Sequence, residues 1–534
     1  MNSEQYDFIV VGSGAAGAAS AWRLVSQGYK VVCLERGQQQ DPDAYPSAYS
    51  DWELKKRAAF SPVIAERQAP ADYPVDDSES PIAVCNYNGV GGSTILYSAH
   101  FPRFQPADFS LQSDEGLYED WPISYEELRP YFEINEKQMA VSGLVGDPMY
   151  PDIEELLPPI PIGTTGERIA KAFNELEWHW WPSYGAISTR SYGGRDQCIN
   201  LGPCNTGCPQ GAKSSVDVTY LRVAQQQGLI LLTGCYVDSV IVENSEAKGV
   251  AYYSEDGRLN KIYANKVVLA ASAIGTPRIL LNSTDDHGVK GIANSSGLVG
   301  RNLMIHPLGY VEGVFDEALD TDVGPQGCMI YSLEHYRNED TDFELGYMLH
   351  VLRGTGPLET ANSALSRRKL RFGEQLEEDF FKFYKKQVAI SIICDDLPDP
   401  NNRVELSNEQ DRFGTPGVKV TYSLSENTLK MMKHGMSNAK KVMEAAGAAK
   451  TYAYGPVRNT GWHLMGTCKM GIDSNNSVVN GSGESHDVKG LYVVDSSCFV
   501  TGSCVNPANT IQAVALCLTD KMIDSYENEN NSAV

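Results

Sequence analysis

Gly12-Ser13-Gly14-Ala15-Ala16-Gly17 and Glu35 are the residues whose types and spacing first suggest chemistry. In a GxGxxG turn the first glycine permits the tight bend, the second lets backbone reach a pyrophosphate, and the third lets helix and strand approach. Glu35, 21 residues after Gly14, stands where a carboxylate accepts two ribose hydroxyls, which favours FAD or NAD over NADP. No second such unit follows, so one dinucleotide is expected. Gly91 and Gly92 allow another close backbone approach, and Ser93 and Thr94 beside them can bond phosphate or a ring edge, although a turn without ligand fits a glycine pair equally. Cys198, Cys204 and Cys208 share a Gly- and Pro-rich loop. Three thiolates there could hold an iron-sulfur cluster, a reading less favoured than loop cysteines without one; zinc is disfavoured further, because no fourth Cys or His lies at short spacing. Imidazole suits a proton-abstracting base, but nine histidines are present and spacing alone selects none.

These residues need elements to hold them. DFIVV (7–11) reads as a buried parallel strand, a helix follows the glycine turn until Gly28, and YKVVCL (29–34) carries Glu35 at its tip. Further along, 343–352, 388–395, 403–407 and 418–424 read as strands of an antiparallel sheet. A helix is predicted from Ser425 as N-cap to Gly447, with Leu429, Met432, Met436, Ala439 and Met443 as packing residues. Segment 366–387 reads as an amphipathic helix, and the aromatic stretch with Trp178, Trp180, Trp181, Tyr184 and Tyr192 as either a sugar-stacking surface or a core lid.

The chain has 534 residues and a formal charge of −24, enough for two domains and unfavourable for nucleic acid or an anionic bilayer. No membrane span is expected. The polar start MNSEQ lacks a leader pattern, and the twelve cysteines are dispersed, several in apolar runs. A cytoplasmic protein is the expectation, with periplasmic export alongside a partner left open.

The segments VCNYNGVGGSTILYSAHFPRF (84–104), VVLAASAIGTPRILLNS (267–283), GLVGRNLMIHP (297–307), VRNTGWHLMGTCKM (457–470) and GLYVVDSSCFVTGSCVNPANTIQAVAL (490–516) resemble the glucose-methanol-choline (GMC) family of FAD-dependent oxidoreductases. The resemblance implies an α/β fold: a discontinuous FAD-binding Rossmann-like domain (1–150, 197–310, 455–534) and a substrate domain with an antiparallel sheet (151–196, 311–454). It implies that Asp495 holds the ribityl hydroxyls, that Val237 meets the adenine through its backbone, that Thr276-Pro277 opens a helix, and that Asn506 and Pro507 lie beside the flavin. Tyr97 stands where relatives place Asn or His, so no His-flavin link forms there and FAD is expected to be non-covalent; His100 reads as packed.

His463 lies in the segment resembling the family's catalytic-histidine stretch, and Asn506, 43 residues later, matches its second His or Asn. The resemblance makes His463 the base and Asn506 the group orienting the substrate hydroxyl; His306 could line the cavity. The implied activity is oxidation of an alcohol to a carbonyl on a sugar, glycoside or polyol-like substrate. A cluster-bearing flavoprotein subunit of a cytochrome-linked dehydrogenase and a flavin-containing lyase stand as alternatives. The electron acceptor, whether oxygen, quinone or protein, is left open.

Overall fold

The computed structural model describes residues 6–56, 59–338, 341–353 and 355–532; the polar start at 1–5 lies outside the described residues. Apolar runs without alternation make strands buried on both faces, and DFIVV and VVCL become strands Tyr6–Val11 and Val31–Leu34. The parallel ladder runs Ile230–Leu232, Val31–Leu34, Tyr6–Val11, Leu259–Leu269 and Leu491–Val493. Strand Leu259–Leu269 pairs twice: its first half also lies antiparallel to Glu246–Tyr253, which continues to Tyr236–Glu243. Helices Ala15–Ser26 and Ala508–Ser532 pack on each other, Thr519 Oγ1 donating to Ser20 Oγ at 2.8 Å.

The second sheet is antiparallel, in the order Lys450–Tyr454, Leu308–Val314, Gln387–Cys394, Tyr347–Leu352, Ile330–Ser332 and Trp181–Pro182. Helix Glu426–Ala445 covers it, capped by Ser425, whose Oγ accepts from Thr428 N at 3.0 Å. The contact centres on Met432, Gly435, Ala439 and Met443, with Leu429 exposed instead of packed. Gly435 permits the crossing, since a Cβ there would lie 2.5 Å from Ile392 Cγ2.

Three local expectations change. Strands Arg403–Gln410 and Pro416–Thr421 do not join this sheet; with Val75–Glu79 they form a separate three-stranded one around Ile274, Ile305 and Leu464. Segment 366–387 is not one helix: Gly373, at φ +93°, interrupts it between helices Pro357–Ser366 and Leu376–Phe381. Pro277 does not open a helix but sits inside Ser272–Asn282. Its missing N–H would leave the Ala273 carbonyl bare, and Thr467 Oγ1 donates to that carbonyl at 2.9 Å.

Candidate active site

The glycine turn builds one wall of a long trough. Gly12 has φ +97°, and a Cβ there would lie 2.5 Å from the Ala270 carbonyl oxygen; a Cβ on Gly17 would lie 2.0 Å from Gly12 O. Gly17 therefore seats the helix on its own turn, whereas Gly12, Gly14 and Ala15 line the trough. Gly92 and Ser93 face them, so close that a Cβ on Gly92 would sit 2.7 Å from Gly14 Cα. Gly91, at φ +93°, shapes the bend behind and contributes no wall.

Two buried carboxylates and one backbone stretch complete the trough. Glu35 accepts from Ser13 N at 3.0 Å, Ser13 Oγ at 2.8 Å and Gly37 N at 2.9 Å, and burial raises its pKa. Asp495 accepts from Ser272 N at 2.9 Å, Thr276 Oγ1 at 2.6 Å and Ser497 N at 2.8 Å; its pKa also rises through burial. Val237 lines the end near Glu35. A cradle too tight for side chains, a helix N-terminus facing it and an acid at each of two stations fit FAD. Sequence reading missed Arg36 and Arg278, which share Asp411 at 3.1 and 3.2 Å and both lie over the Tyr73 ring with centroid distances of 4.9 and 4.6 Å. Their signal was absent because Asp411 arrives from the small three-stranded sheet.

At its other end the trough shares Ala15, Ser93, Thr94, Trp462 and Ile511 with a second cavity of about 250 Å³, lined also by His463, Asn506, Pro507 and Tyr97. An isolated antiparallel bridge between Met304 and Met465 sets the register that brings His306 against His463. The two Nδ1 atoms lie 3.1 Å apart. Asn506, just before helix Ala508–Ser532, turns its Nδ2 to His463 Nε2 at 3.1 Å and its Oδ1 to His100 Nδ1 at 2.8 Å.

These contacts determine the protons. His100 donates from Nδ1 to the Asn506 carbonyl oxygen, so the amide must donate from Nδ2, and His463 Nε2 must accept. His463 then carries its hydrogen on Nδ1 and donates it to His306. Burial, with neighbouring His350 adding to it, pushes the His463 pKa down to about 3. Burial likewise holds His100 and His306 well below the usual imidazole range. The arrangement presents a neutral imidazole whose unprotonated Nε2 accepts from Asn506, as a general base requires.

Sequence reading brought His463 and Asn506 together but placed His100 only as packed and gave His306 no specific partner. Tyr97 donates from its hydroxyl to Ser214 O at 2.6 Å, so its oxygen is committed to the wall. Of the aromatic stretch, Trp181 joins the second sheet and Trp178 stacks edge-on to His335, away from the cavity.

Cys198, Cys204 and Cys208 line one small pocket with Lys213. The Lys213 ammonium donates to Ile95 O at 2.6 Å, Tyr97 O at 3.1 Å and Cys204 O at 2.8 Å. Burial raises the Cys198 thiol and pushes Cys204 up to about 11, and among the described residues no group of three His, Cys, Asp or Glu is arranged to hold a metal ion.

Known proteins resemble this architecture throughout. Models of two GMC oxidoreductase domains match residues 184–308 and 398–515, and a model of an NAD(P)-binding Rossmann-like domain matches 10–45. The 2-methyl-1,2-propanediol dehydrogenase of Mycolicibacterium austroafricanum is 36% identical over 96% of this chain and 94% of its own. The fructose dehydrogenase large subunit of Gluconobacter japonicus is 26% identical over 98% of both. A crystal structure of pyridoxine 4-oxidase from Mesorbium loti superposes with a TM-score of 0.68 at 17% identity, covering 97% of this chain and 99% of that one, a likeness of fold. No helix among the described residues is long and apolar enough to cross a membrane. The chain belongs to the GMC oxidoreductases, enzymes that use FAD to oxidise an alcohol to a carbonyl.

Proposed function

We propose that His463 is the general base, that Asn506 orients the reacting hydroxyl, and that the substrate is a sugar, a glycoside or a polyol-like alcohol. The observation that carries this reading is the unprotonated His463 Nε2, which accepts from Asn506 in the cavity that adjoins the trough. FAD, when bound, supplies the acceptor for the carbinol hydride. The chain supplies the rest. A substrate hydroxyl replaces the Asn506 amide at Nε2 and gives up its proton there; His463 donates from Nδ1 to His306, which keeps the ring oriented and shares the charge. Asn506, held through Oδ1 by His100, donates from Nδ2 to the substrate oxygen.

The cofactor roles of Gly12, Gly14, Ala15, Glu35, Gly92, Ser93, Val237, Asp495 and Pro507 belong to the same reading, supported by their positions on the two walls. Gly17 and Gly91 act by shaping turns. The division into an FAD domain (1–150, 197–310, 455–534) and a substrate domain (151–196, 311–454) is supported by the parallel-centred sheet, whose strands all fall in the first set. Cytoplasmic residence is supported by twelve cysteines, all free.

Anaerobic addition of alcohols, polyols and sugars to the FAD-loaded protein tests the chemistry, because a reduced flavin band disappears from the visible spectrum. His463→Ala should retain FAD and slow bleaching by about 10²- to 10⁴-fold. Bleaching at the wild-type rate removes His463 as base.

A further inference from the structure

His350 lines the same cavity but takes no part in the contacts that hold the base. It sits in strand Tyr347–Leu352, opposite Ser391 and Tyr331, and is 3% exposed. Its Nε2 lies 2.7 Å from the Gly327 carbonyl oxygen. A carbonyl only accepts, so Nε2 carries the hydrogen and Nδ1 carries a lone pair. Nδ1 has no hydrogen-bond partner among the described residues. Burial pushes the pKa of the ring down to about 4, so it remains an acceptor at neutral pH. Stacking on His100, with centroids 4.1 Å apart and planes 17° apart, fixes its direction.

An acceptor on a cavity wall with no protein donor is open to a hydroxyl of a ligand. Three buried unpartnered acceptors belong to residues of this cavity wall, His100 Nε2, Asn205 Oδ1 and Gln326 Oε1. Such a surplus calls for a ligand rich in O–H donors, while Leu308, Leu352 and Ile393 offer it an apolar wall. His463, Asn506, His100 and His350 follow one another by direct contact along one side. A group bonded at His350 therefore shares the cavity with the hydroxyl presented to His463.

We propose that His350 Nδ1 accepts a hydrogen bond from a second hydroxyl of the substrate and so selects diols over monohydric alcohols. The proposal rests on the reading of His463 as base in alcohol oxidation. It names a specificity residue with no part in the proton transfer itself.

The test is anaerobic stopped-flow reduction of the FAD-loaded enzyme by 1,2-propanediol and by 1-propanol. The wild type should favour the diol by about tenfold or more in its second-order reduction constant. His350→Gln can keep an N–H for Gly327 but places no acceptor at the Nδ1 position; it should lose most of that preference, the 1,2-propanediol constant falling much further than the 1-propanol constant. His350→Asn offers an oxygen near the Nδ1 position and should retain more of the preference than Gln. An unchanged ratio in His350→Gln overturns the proposal; if that variant does not hold FAD, loss of the preference in His350→Asn overturns it. A wild type reduced equally by both substrates overturns the role of His350 alone, whereas one that no alcohol reduces overturns the reading of His463 beneath it.

Discussion

Four imidazoles, His100, His306, His350 and His463, gather around the carboxamide of Asn506, directly or through one another. Each is neutral because burial penalises the cation. The sign for catalysis follows: a base with its pKa pushed down to about 3 is already unprotonated throughout the ordinary range. Flavin reduction should therefore show no acid limb from His463 between about pH 5 and pH 8; a rate that halves near pH 6.5 would mean that a solvated imidazole does the work. His306, at φ +49°, tolerates Asn in its left-handed backbone better than most replacements. His306→Asn removes the partner of the His463 N–H just as that ring gains charge, so kcat should fall by about 10- to 100-fold with KM little altered. Equal changes in both constants would instead indicate a damaged cavity. His463 and Asn506 were legible in the sequence through their surrounding motifs. His306 was not paired with His463 there because they are 157 residues apart, and His350 gave no sign because a strand histidine looks like any other.

Among the elements, the start of helix Ala508–Ser532 and the segment carrying His100 are locked by one polar network. Phe104 N donates to Thr510 Oγ1 at 3.1 Å, and Asn509 Nδ2 donates to Phe101 O at 3.3 Å and Glu136 Oε1 at 3.3 Å. Arg103 meets Glu136 in two parallel bonds of 2.7 Å, both side chains almost fully buried. Glu136→Ala leaves the guanidinium buried without its counter-charge, a loss of about 3–5 kcal/mol. Chemical denaturation should show it; a loss below about 1 kcal/mol would place the pair in water. The opening strand, helix and acid were readable because hydrophobic period, glycine spacing and a strand-tip carboxylate agree. The small sheet was misassigned for a different reason: alternation identifies a strand without naming its neighbour, and Pro416–Thr421 pairs with Val75–Glu79 more than 300 residues earlier. Gly373 was the overlooked break in 366–387.

On the scale of the whole molecule, the trough draws its walls from residues scattered between Val11 and Ile511, so FAD is a tie between distant parts of the chain. Ligand that binds only the folded state adds about 2.7 kcal/mol at a free concentration one hundred times its Kd. The FAD-free protein should accordingly unfold at lower temperature than the reconstituted one in calorimetry; coincident transitions would deny the tie. The strand order carries one more consequence. Tyr6–Val11 pairs with Leu259–Leu269, whose other parallel neighbour is Leu491–Val493, roughly 480 residues downstream of the first. At about 5–20 residues per second of synthesis, roughly half a minute to a minute and a half separates the first strand from the last. Throughout that interval the nascent glycine turn waits on the ribosome beside an unfinished sheet, and a chaperone that shelters its apolar strands would act before any cofactor can be received.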